Sequence, residues 1–134
     1  MEVYDVFNGD ADGICALIQL RLAEPAETTL ITGVKRDTSL AQRVPAYKPA
    51  QVNILDISLD KNREAVDQLL VAGCSVFYVD HHFPGDDLPE APEFKALIDT
   101  KPTTCTSLLV DQHLGGSFHN WAIAASFGDN LNAV

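Results

Sequence analysis

The sequence predicts an α/β fold: a largely parallel five-stranded sheet with helices on both faces, a three-layer sandwich. Two observations carry this expectation. Short runs rich in β-branched and aromatic residues recur at 3–7, 28–34, 51–57, 74–80 and 94–99, with the length and composition of strands. Between most of them lie stretches with helical spacing of apolar residues, and strand–helix alternation favours parallel pairing with crossover helices on the sheet faces. A chain of 134 residues suits one ordinary core, so 1–134 reads as a single domain.

The elements follow in order. After the first strand, Ile14, Leu17, Ile18 and Leu22 mark a helix that must stop before Pro25. The segment 39–44 predicts a short helix between the second and third strands. Leu59, Val66, Leu69 and Leu70 mark the next helix, with Ser58 or Asp60 as its cap and Gly73 beyond its end. The stretch 83–93, with three prolines, reads as a loop. Thr103 or Thr104 can cap a helix that runs through Leu108, Leu109 and His113 to the Gly115-Gly116 stop, and 119–127 has the pattern of a last short helix.

Composition narrows the function classes. Nine Lys plus Arg against nineteen Asp plus Glu give a net charge of −10, which disfavours a basic nucleic-acid groove or an electrostatic anchor on an anionic membrane. Few basic residues are expected near the strand ends. Three cysteines, Cys15, Cys74 and Cys105, imply no disulfide framework and read as core. No apolar run approaches the roughly 20 residues of a membrane span, and 1–5 has no basic leader, so the expected location is the cytoplasm.

In open parallel sheets, ligands bind outside the carboxyl ends of the strands. Here those ends are acidic. The first strand runs into Asn8-Gly9-Asp10-Ala11-Asp12-Gly13, the third ends at Asp56, and the fourth ends at Asp80-His81-His82. Most have an ordinary reading: Asp12 can cap the first helix, Asp10 with Gly9 and Gly13 can form a turn, and His81-His82 can open a solvated loop, whereas Asp56 at the tip of an apolar strand is harder to dismiss. Their conjunction favours a metal centre, because crowded carboxylates repel unless divalent cations neutralise them. Mixed Asp and His donors suit Mn²⁺, Mg²⁺, Fe²⁺ or Zn²⁺ better than Ca²⁺.

On these residues the chain resembles the DHH phosphoesterase family. Asp10 and Asp12 match its first motif, Asp56 the second, Asp80-His81-His82 the third, and Gly128-Asp129 the fourth, in the family's order. The resemblance implies two Mn²⁺ ions, with Mg²⁺ or Co²⁺ as substitutes, bridged by Asp56 and a hydroxide. Asp10, with Asn8 beside it, would serve the first ion; Asp12, His81 and Asp129 would serve the second. Asp80 would orient the neighbouring imidazole, and His82 would face the substrate phosphate. The implied catalytic residues are therefore His82, Asp80 and Asp56. Where many members carry His, this chain has Asn8, a weaker ligand.

The Asp-Ala-Asp-Gly form of the first motif is similar to the single-strand exonuclease and oligonucleotide-degrading branches. It implies a nucleotide or short oligonucleotide phosphodiester as substrate, with inorganic pyrophosphate as the alternative. The resemblance also implies a carboxyl-terminal substrate-binding domain, expected beyond Val134. Two other readings stand beside it. A response-regulator receiver domain is similar in length and alternation, with Asp56 as phospho-acceptor and Lys101-Pro102 after the fifth strand. The third is a degenerate, non-catalytic phosphoesterase fold.

Overall fold

The computed structural model describes residues 1–128. It contains the strands β1 (Val3–Asn8), β2 (Thr29–Gly33), β3 (Gln51–Leu55), β4 (Ser75–Asp80) and β5 (Phe94–Ile98). Four helices accompany them: α1 (Ala11–Ala23), α2 (Leu59–Val71), α3 (Thr106–His113) and α4 (His119–Gly128). A short 3₁₀ turn occupies Leu40–Arg43. The sheet order is β2-β1-β3-β4-β5, and every pairing is parallel. The expected fold class is what the chain adopts.

Alternation along the strands divides the core between two faces. One face presents Val6, Val52, Ile54, Val76 and Tyr78 to Leu59, Val66 and Leu69 of α2 and to Leu40 and Ala41 of the 3₁₀ turn. The other presents Phe7, Leu55 and Val79 to Ala16, Leu17 and Leu20 of α1 and to Leu109 and Val110 of α3. A small third cluster joins Cys15, Cys105 and Ala125. No helix among the described residues is long and apolar enough to cross a membrane.

The order places a switch point between β1 and β3. From β1 the chain moves outward through α1 to β2, then returns across β1 to β3 and continues the other way. The loops leaving β1 and β3 therefore diverge, and the crevice between them lies at the carboxyl ends of the strands. Two glycines bring the β1 loop in close. A Cβ on Gly13 would run into the carbonyl of Asn8, and one on Gly9 into the carbonyl of Gly33.

Three caps differ from expectation. Asp10, not Asp12, caps α1: its side chain accepts from the Gly13 amide at 3.0 Å. The residue preceding α3 is Cys105, not Thr103 or Thr104, and its side chain makes no cap hydrogen bond. That role falls to Asp12, whose carboxylate accepts from the amides of Thr106 and Ser107 at 3.0 and 2.8 Å. Ser58 does precede α2, but its hydroxyl donates to the Phe83 carbonyl instead of capping.

Candidate metal centre

The crevice at the switch point forms a cleft of about 330 Å³ whose lining includes Asn8, Asp10, Asp56, His81 and His82. A larger groove of about 680 Å³, lined by Asn53, Phe77 and Lys95 among others, lies toward the amino-terminal ends of the strands, away from these residues. Chemistry decides between them: the clustered carboxylates and imidazoles are in the smaller one.

Asp56 is the centre of the set. It follows β3 directly, is buried, and has a φ of 66°, the one positive φ at a non-glycine residue among those described. That conformation is tolerated by Asp better than by most residues but still costs energy, and such strain collects at functional sites. The Asp56 amide donates to the Val79 carbonyl at 3.0 Å, and Thr106 Oγ1 donates to Asp56 Oδ1 at 3.0 Å. His81 Nε2 lies 3.1 Å from Asp56 Oδ1 and 3.4 Å from Asp12 Oδ2.

On β4, Asp80 is fully buried and its Oδ1 meets His82 Nδ1 at 2.6 Å. The imidazole that Asp80 orients is thus that of His82. Its other oxygen, Oδ2, is buried without a hydrogen-bond partner among the described residues. Asp56, Asp80, His81 and His82 each offer a ligand atom, and these atoms lie within 4.8 Å of one another.

Electrostatics shows the cost of this arrangement. Burial first, then the charges of Asp12 and Asp10, push the Asp56 carboxyl up to about 10. The carboxylates cannot all be ionised together without an added positive charge. The hydrogen bond that His82 Nδ1 donates to Asp80 raises the pKa of His82. Oxygen and imidazole donors, an orphaned buried carboxylate oxygen and an acid held protonated by burial and by its like neighbours fit a divalent cation.

The structure brings Asp10, Asp12, Asp56, Asp80, His81 and His82 to one place. Asn8 lines the same cleft, but its amide is already engaged: Oδ1 accepts from the Asp10 amide at 3.1 Å and Nδ2 donates to the Lys35 carbonyl at 3.4 Å. Gly128 reaches the cleft, while Asp129 lies outside the described residues. Lys101, the residue a receiver domain needs here, is exposed and does not line this cleft.

Sequence reasoning missed three participants. Thr106 ties Asp12 and Asp56 to the start of α3 through its amide and hydroxyl, and Lys35 and Lys61 line the cleft despite the acidic composition. The cysteines are buried as expected, and Cys105 adjoins Thr106.

Fold and cluster together define a class, a parallel α/β domain with a carboxylate–imidazole cluster at its switch point. Compared with known proteins, the chain matches no family model and no curated protein.

Proposed function

We propose that the chain is a metal-dependent phosphoesterase that cleaves phosphodiesters of nucleotides or short single-stranded oligonucleotides, with two Mn²⁺ ions as cofactor. The observation that carries this reading is Asp56, a strained and buried acid between Asp12 and His81, whose charge is disfavoured until a cation neutralises it. Asp10, Asp12, Asp56 and His81 would hold the ions, with Asn8 and Asp129 as further ligands on the family resemblance. When bound, the ions supply charge neutralisation and a water acidified for attack on phosphorus.

The remaining chemistry belongs to the chain's own side chains. Asp80 accepts from His82 Nδ1, which leaves Nε2 to face a phosphate oxygen or leaving group and to donate to it when the ring is protonated. The hydrogen bond to Asp80 raises the pKa of His82, which favours the protonated ring that can donate. Thr106 fixes the rotamer of Asp56, and Asp12 joins the start of α1 to the start of α3, so the ligand set rests on three elements and is preorganised.

The test is hydrolysis of bis(p-nitrophenyl) phosphate with Mn²⁺ and with EDTA. Turnover that requires Mn²⁺ and disappears in Asp56→Asn supports the reading. Phosphorylation by acetyl phosphate with no hydrolysis would replace it with the receiver reading.

A further inference from the structure

We infer that Lys35 and Lys61 hold a second phosphate of the substrate, so that the cleft prefers esters carrying two neighbouring phosphates over those carrying one. This rests on the phosphoesterase reading and names the substrate class for that same site. Both lysines line the cleft that contains Asp10, Asp56, His81 and His82. Lys35 lies just beyond β2, and its carbonyl accepts from Asn8 Nδ2, which ties it to the loop bearing Asp10. Lys61 lies in the first turn of α2, just after Asp56, Ile57 and Ser58.

Their lack of partners is informative. Among the described residues neither side chain makes an ion pair or hydrogen bond; the same holds for Arg36, Lys95 and Lys101, but only Lys35 and Lys61 line the cleft, while Arg21, Lys48 and Arg63 pair with acids. The chain has nine Lys plus Arg against nineteen Asp plus Glu, so acids to pair with are plentiful. Lysines serving only to neutralise the cluster would rest on Asp10 or Asp56. These two instead line the cleft that holds the candidate reacting groups without resting on its acids. A lysine is a compact point charge suited to phosphate, and two of them beyond the metal ligands match an anionic group adjacent to the one that reacts.

That second phosphate can be a terminal phosphomonoester or the next phosphodiester of an oligonucleotide. Both are bound by the same charge. Because the contact is made in ground and transition states alike, its loss raises KM more than it lowers kcat.

The experiment compares the wild type with Lys35→Ala/Lys61→Ala in Mn²⁺, on bis(p-nitrophenyl) phosphate, a dinucleotide with a terminal phosphate, and a trinucleotide with internal phosphates only. The expected result is a fall of about tenfold or more in the ratio of kcat/KM for a two-phosphate substrate over bis(p-nitrophenyl) phosphate, carried by KM. Lys35→Arg/Lys61→Arg should restore most of the ratio. A fall confined to the dinucleotide assigns the site to a terminal phosphate, and a fall for both substrates assigns it to any neighbouring phosphate. An unchanged ratio overturns the inference and leaves the phosphoesterase reading intact. If the wild type hydrolyses none of the three, the underlying reading fails and this inference with it.

Discussion

Asp12 on α1 caps α3 from outside: its Oδ1 accepts from the Ser107 amide at 2.8 Å, across 95 residues of sequence, while the Ser107 hydroxyl donates to the Asp12 carbonyl at 2.8 Å. The pair closes the chain around the cluster. It also gives Asp12 a structural task that is independent of any metal.

Asp12→Ala should therefore destabilise the metal-free protein by about 2–3 kcal/mol, because two buried amides at the start of α3 lose their acceptor. Asp12→Asn, which keeps one acceptor oxygen, should cost less. Urea unfolding in EDTA measures both. A stabilised Asp12→Ala would mean that relief of carboxylate repulsion outweighs the cap.

Asp56 sets the pH dependence of the metal-free state. Its folded value of about 10 lies above the ordinary 3.8, so the proton favours the folded form. The stability it contributes is fully present below about 3.8 and is lost as pH rises through 10. In EDTA the midpoint of thermal unfolding should fall between pH 5 and 9, and Asp56→Asn should flatten that slope. An equally steep slope in the variant would place the cause elsewhere.

His82 should titrate above its ordinary value because Asp80 accepts from its Nδ1. The sign is the same as for Asp56: the stabilisation is present below about 6.5 and disappears as pH rises through the folded pKa. Asp80→Asn should bring the His82 resonance back toward 6.5 in a proton NMR titration. In turnover, His82→Ala should lower kcat by roughly 10²–10⁴ and spare Mn²⁺ binding. Lys101→Ala should leave both unchanged, since Lys101 lies outside the cleft.

Much of this architecture was legible in the sequence because its signals are local. Strand runs such as 51–57 and 74–80, and the breaks at Pro25 and Gly73, locate elements to within two residues of β3, β4, α1 and α2. The acids at the strand ends were legible for the same reason, since parallel topology alone gathers them. Three things were not local. A cap donated by Asp12 to α3 leaves no trace near Thr106, and a chain-wide charge of −10 conceals where single lysines such as Lys35 and Lys61 fall. The left-handed backbone of Asp56 accompanies an amide hydrogen bond to Val79, a partner far along the chain that no local signature reports.

The central claim is that the Asp56 cluster is a divalent-metal centre, and thermal unfolding at pH 7 across a Mn²⁺ series, with EDTA as reference, tests it most directly. Ions that bind only the folded state should raise the midpoint by several degrees once Mn²⁺ is about a hundredfold above its Kd, and Asp56→Asn should lose most of that rise. A midpoint that stays at its EDTA value from micromolar to millimolar Mn²⁺ would contradict the account.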